Sequence, residues 1–169
     1  MDDTFTRAMG ATERMRLWFP NINVVMAARI TGPVSIQALE TAIERARQKH
    51  PLLGARVELD EDRAGRFTTQ GVPKIPIDVV SRAGEDGWLR QMEQELQHRW
   101  PIKTGPLARF VVLHTSEELH LIVNAHHSIC DARSLAYLIR DILVFMSEPI
   151  DIEEIEATIP VALDEAIPS

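Results

Sequence analysis

Leu119-His120-Leu121-Ile122-Val123-Asn124-Ala125-His126-His127-Ser128-Ile129-Cys130-Asp131-Ala132-Arg133-Ser134 is the stretch on which the reading of this chain turns. Its first five residues alternate like a strand, and the run after it, Leu135 to Met146, has helical spacing. A polar segment with two histidines at a strand-to-helix junction is a poor candidate for ordinary packing.

Toward the N-terminus, Arg109-Phe110-Val111-Val112-Leu113 is a second β-rich run, joined to the first by His114-Thr115-Ser116-Glu117-Glu118, so the pair reads as a hairpin. Upstream of it, Leu89, Met92, Leu96 and Trp100 fall on one side of an expected helix that follows Asp86 and stops at Pro101, with Glu93, Glu95, Gln97 and Arg99 on its other faces. Short strands are expected over Arg56–Leu59, around Phe67-Thr68-Thr69, and over Ile75–Val80, the first two separated by the turn-forming Asp60 to Gly65. Before them, Ser35 is an N-cap for a helix with Ile36, Leu39, Ile43 and Ala46 on one face, ending at His50-Pro51. Val24 to Ile30 is a strand closed by Thr31-Gly32-Pro33. Arg16-Leu17-Trp18-Phe19, followed by the breaker Pro20-Asn21, reads as a helix end that buries Trp18 and Phe19; Met1 to Thr12 reads as an arm.

Beyond the last helix the composition shifts to the acidic 151–156 segment and the proline-bounded 160–168 segment, which reads as a linker with one short helical turn. The domain reading is therefore a lobe over 1–148 and a linker over 149–169. A chain of 169 residues suits one well-buried domain. Strands and helices in this order imply an α/β (α+β) fold, a mixed sheet flanked by helices.

The totals exclude several classes. The 18 Lys and Arg against 25 Asp and Glu give a net charge of −7, the wrong sign for a nucleic-acid partner, and no basic cluster offsets it. Apolar runs are too short to span a membrane, and the acidic start Met1-Asp2-Asp3 is unlike a secretion signal, so a cytoplasmic location is expected. Cys130 is the single cysteine and cannot form an internal disulfide; beside apolar neighbours it reads as a small buried hydrophobe more readily than as a nucleophile. No metal site is expected, because adjacent histidines point in different directions and Cys130 and Asp131 lack spaced partners.

His126-His127-Ser128-Ile129-Cys130-Asp131-Ala132 resembles the HHxxxDG signature of condensation domains and chloramphenicol-acetyltransferase-like acyltransferases, with Ala132 where the pattern has glycine. Three further segments agree in order: Arg16-Leu17-Trp18, with Arg14 where the family motif has glutamine, Lys49-His50-Pro51-Leu52-Leu53, and Gly105-Pro106-Leu107-Ala108-Arg109. The resemblance implies the N-terminal lobe of a two-lobed enzyme whose active-site tunnel runs between the lobes, so that this lobe is expected to be inactive, or nearly so, in isolation. It also implies transfer of an acyl group from coenzyme A, or from the phosphopantetheine arm of a carrier protein, to an amine or hydroxyl. That thioester is a substrate, and no bound cofactor is expected.

By the same resemblance, His127 is the general base, a task suited to imidazole near neutral pH. His126 packs behind the loop, and Asp131 braces it through an ion pair with Arg56. Asp131 can equally be the N-cap of the following helix, with Ser134 at the helix start. Ala132 adds a Cβ where glycine would allow positive φ and close approach. Alternatives to catalysis are a binding or scaffold module of the same fold, and a homodimer pairing through the surface that a second lobe would cover.

Overall fold

The computed structural model describes residues 4–19, 22–61, 64–81, 84, 86–115, 117–147 and 154–162. Its larger sheet contains four strands in the order β2-β7-β6-β5, namely β2 (Asn23–Thr31), β7 (Glu118–His126), β6 (Ala108–His114) and β5 (Ile77–Ser81). β6 and β7 form the expected hairpin, with Val111 opposite Ile122, and β2 pairs antiparallel to β7 along its whole length. β5 lies parallel to β6, so the sheet is mixed. A smaller sheet joins β1 (Thr6–Ala8), β4 (Gly65–Thr68) and β3 (Arg56–Leu59). The fold class is the expected one.

One face of the larger sheet is covered by α2 (Ile36–Lys49) and α4 (Ala132–Ser147), which bury Leu39, Ala42, Ile43 and Ala46 against Leu135, Leu138, Ile142 and Phe145 over the inward residues of the strands. Ser35 caps α2 as its position demands, its hydroxyl accepting from the Ala38 N–H at 3.3 Å. A 3-10 turn over Pro51–Gly54 then leads into β3. Of the expected linker, residues 154–162 are described. They return along this face, where the Thr158 N–H donates to the Lys49 carbonyl at 2.6 Å and Ile155 packs on the core. The remainder of that segment, 149–153 and 163–169, lies outside the described residues.

The opposite face carries α3 (Gly87–Leu96), and here the structure departs from the expected pattern. Leu89 and Leu96 are 44% and 46% exposed, whereas Glu95, assigned to a polar face, is only 4% exposed. The helix is rotated because Trp88 stacks on His120 at 5.9 Å and Glu95 accepts from the buried Asn124 amide at 2.9 Å. It also stops before Trp100, which is buried but lies in the following loop. A second correction concerns α1 (Ala11–Arg16): Trp18 and Phe19 beyond it are 69% and 55% exposed rather than buried.

α2 and α4 are also joined by charge. The buried Asp141 carboxylate accepts from Lys49 and His50 at 2.9 Å each and from Arg140 at 3.0 Å. Burial alone would raise its pKa, but these donors outweigh it and hold the carboxyl at about 2. Since that lies below the ordinary 3.8, the stabilisation is complete above pH 3.8 and is lost as pH falls through 2. Asp141→Asn is expected to lower unfolding free energy by about 2 kcal/mol at neutral pH and to flatten the pH dependence of stability across that acid window, as measured by chemical denaturation.

Candidate active site

β7 decides where the two histidines go. Side chains alternate across a strand, and its odd residues Leu119, Leu121, Val123 and Ala125 enter the core under α2 and α4, while Asn124 and His120 face α3. His126 therefore falls on the α3 side, and His127 is the first residue of the turn that follows the strand. The strand end is pinned by backbone bonds: His126 N–H to Leu107 carbonyl, and His127 N–H to Ile22 carbonyl, both 2.9 Å. Leu107 follows Gly105, whose φ of +65° and 2.6 Å spacing from a would-be Cβ to the Ala55 carbonyl admit only glycine.

His126 is buried and held as a neutral acceptor. Its Nδ1 receives the Ser128 N–H at 3.1 Å and lies 2.7 Å from the Ser128 hydroxyl. Burial, with His127 and Arg16 nearby, pushes its pKa down to about 4. Behind it stands Trp100, edge-on at 6.5 Å, with its indole N–H on the Asn23 amide oxygen; His98 lies edge-on to Trp100 at 4.6 Å. Arg109 closes the set, donating to His98 Nδ1 at 3.1 Å and pairing with Asp78. Burial first, then the Arg109 charge, lowers the pKa of His98, which suits it as an acceptor.

His127 is half-buried, and its Nδ1 lies 2.7 Å from the Cys130 carbonyl oxygen. A carbonyl can only accept, so Nδ1 carries the proton and the lone pair of the neutral ring is on Nε2. The loop turns through the Ile129 N–H to His126 carbonyl bond of 3.0 Å. Cys130 is buried, and that burial, then the neighbouring Asp131 charge, pushes its thiol up to about 12.

Asp131 caps α4, its Oδ1 accepting from the Ser134 N–H at 2.8 Å and the Ser134 hydroxyl at 2.7 Å. Those bonds hold its carboxyl below the ordinary carboxylate range. The expected ion pair with Arg56 is not formed. Arg56, on β3, donates to Glu58 at 2.6 Å and to the Gln70 carbonyl at 2.8 Å. Its guanidinium is used within the smaller sheet because β3 places Glu58 within reach on the same strand. Ala132 is the first residue of α4, where helical backbone calls for no positive φ and alanine is the better helix former.

Arg16 takes the bracing role expected of Arg56. Its Nη1 donates to the His127 carbonyl at 2.7 Å across 111 residues. The Arg16-Leu17-Trp18 segment is the signal available in the sequence, but nothing in its spacing says what the guanidinium reaches. Among the described residues, no group of three His, Cys, Asp or Glu side chains is placed to hold a metal ion, and no helix is long and apolar enough to cross a membrane.

A mixed sheet with a histidine pair at the strand-to-helix turn defines the class, and the sequence places the chain within it. Residues 21–151 match the condensation domain, and the chain belongs to that family. It is 30% identical to a linear gramicidin synthase of Brevibacillus parabrevis over 146 residues, 76% of this chain and 3% of that protein. It is 25% identical to equisetin synthetase of Fusarium heterosporum over 136 residues, 74% of this chain and 3% of that one. The fold matches the condensation domain of monacolin K polyketide synthase with a TM-score of 0.72 at 14% identity, over 88% of this chain and 36% of that one. The chain thus spans about a third of that domain and a few per cent of the two synthetases.

Arg16→Met is expected to speed hydrogen exchange of the His127 and Ile129 amides about tenfold, the effect of losing a ~1.4 kcal/mol restraint, while core strand amides keep their protection. Ala132→Gly is expected to lower stability by up to about 1 kcal/mol in thermal denaturation, as for loss of a helix former.

Proposed function

We propose that this chain is the histidine-bearing N-terminal lobe of a condensation catalyst, moving an acyl group from a thioester to an amine or hydroxyl with His127 as general base. The observation that carries this reading is the Nδ1–H bond from His127 to the Cys130 carbonyl, which leaves Nε2 as the proton acceptor. As the acceptor nucleophile attacks the thioester carbonyl carbon, Nε2 takes its proton. The tetrahedral adduct collapses, the carbon–sulfur bond breaks, and the proton held on Nε2 passes to the departing thiolate. His126, neutral and bonded to Ser128, fixes the strand end without exchanging protons. Asp131 and Arg16 hold the loop from its two sides.

Coenzyme A or a carrier protein's phosphopantetheine arm supplies the donor thioester as substrate. A solved structure of the starter condensation domain of rhizomide synthetase, similar in fold, contains C8-CoA and Leu-SNAC, which supports a thioester donor here. The acceptor is a small molecule or a carrier-bound group, and a carrier protein is the macromolecular partner. Met15, Trp18 and Phe19 are exposed around the bracing Arg16. We assign this surface to a second lobe of the same polypeptide in preference to a second copy, because the family members it resembles are much longer. Residues 149–169 then serve as the linker between the lobes, and the isolated lobe turns over little or no substrate.

In the complete polypeptide carrying this chain, His127→Ala is expected to lower the rate of acyl transfer by about 10²- to 10⁴-fold, with binding of the donor thioester retained. Undiminished transfer would remove His127 from the mechanism. His126→Ala is expected to fail differently, by loss of thermal stability before loss of chemistry.

A further inference from the structure

Asn23 opens β2, yet asparagine is depleted in strands, where its side chain competes with the ladder for backbone partners. Its contacts account for its presence, since one amide group serves three partners. Nδ2 donates to the Leu96 and His98 carbonyls, each at 2.9 Å, and Oδ1 accepts from the Trp100 indole N–H. Chemistry fixes the orientation of that amide, because an indole N–H can only donate and a carbonyl can only accept. Leu96 is the last residue of α3, and the carbonyls at a helix C-terminus have no partner within the helix. Asn23 therefore closes α3 at the point where β2 begins.

The same residue adjoins both histidines. It is the cross-strand partner of His126, and Trp100, bonded to its oxygen, stands edge-on to the His126 ring at 6.5 Å. One residue upstream, the Ile22 carbonyl accepts the His127 N–H at 2.9 Å. That carbonyl and the Asn23 nitrogen belong to one planar peptide, so the carbonyl follows the backbone of Asn23. The far end of the tie is itself held, because Arg109 donates to His98 Nδ1 at 3.1 Å and pairs with Asp78 on β5.

We propose that Asn23 is a positioning residue for His127, fixing through the Ile22 carbonyl where the strand-to-helix turn begins. For its effect on rate the proposal rests on the acyl-transfer reading; for its geometry it does not. His127 is then held at three points: its N–H by Ile22, its carbonyl by Arg16 and its ring by the Cys130 carbonyl. Of these, only the first ties it to β2 and, through Asn23, to the end of α3. A reacting group misplaced by about 1 Å loses on the order of 10²-fold in rate, so such a restraint bears on chemistry without touching substrate.

Asn23→Asp separates this role from simple packing. It keeps the oxygen that accepts from Trp100 and replaces two N–H donors with an acceptor facing two carbonyls. Protonation of the carboxyl restores one donor, and the facing carbonyls favour the protonated form, so its pKa lies above the ordinary value of about 3.9. The measurement is amide hydrogen exchange of this chain, followed residue by residue by NMR. At pH 7, Asn23→Asp is expected to lower protection of the His127 amide about tenfold relative to the unsubstituted chain, as for one lost hydrogen bond, while the Leu121 and Val123 amides keep theirs. The deficit is expected to shrink as the pH is lowered to about 5. Asn23→Ser, which retains one donor, is expected to give a smaller deficit that does not depend on pH, and it decides the matter if Asn23→Asp does not fold at pH 7. Unaltered protection of His127, or a loss spread evenly over β7, overturns the proposal. In the complete polypeptide, Asn23→Asp is expected to lower kcat for acyl transfer by about 10- to 100-fold with KM unchanged. A selective exchange effect with kcat unchanged would instead sink the general-base reading, and the tie from Asn23 to the turn would stand.

Discussion

Two consecutive histidines straddle the end of one strand, His126 its last residue and His127 the first of the turn, and the site depends on that junction. The chain exploits it by giving each ring a different environment. His126 enters a buried stack of rings on the α3 side, where Trp100, His98 and Arg109 fix it as a neutral structural group. His127 stands in the turn, with Nδ1 tied to the Cys130 carbonyl. Neither role could be exchanged without shifting the strand by one residue, which would turn every inward leucine of β7 outward.

The loop between the histidines and α4 is held by contacts of high sequence separation rather than by its own propensity. Ile22 and Leu107 receive its first amides, and Arg16 reaches its carbonyl from the opposite end of the chain. Asp131 then converts the loop into a helix start by capping α4. A cap satisfies amides that would otherwise lack partners, so the same carboxylate that ends the loop also anchors the helix whose inner stripe packs against α2. The Asp141 cluster secures that packing at the end of α2. Loop geometry and helix packing are therefore coupled through α4.

Much of this is legible in the sequence where a short-range rule applies. The hairpin, the Ser35 cap, the stripe of α4 and the histidine pair follow from alternation, helical spacing and turn chemistry. Periodicity misplaces α3 because it weighs leucine above glutamate, whereas Glu95 is drawn inward by Asn124 on β7, a residue 29 positions away. Trp18 and Phe19 escape the same kind of rule for a related reason: their hydrophobicity says that they prefer burial, but not that this chain supplies the cover. Arg56 is singled out as the partner of Asp131 only by its position in a motif. The strand that carries Arg56 offers it Glu58, and Arg16 braces the loop instead.

By itself, the sequence determined the order of elements, the strand-to-helix junction, the adjacency of the two histidines and the family they resemble, because each depends on residues close together in the chain. Only the tertiary structure decided which nitrogen of His127 is bonded to the loop, which arginine supports that loop, how α3 is turned, and that residues 154–162 pack beside it. Each of those depends on pairings between distant segments, and such a pairing is fixed by the competition among all the partners that packing brings within reach.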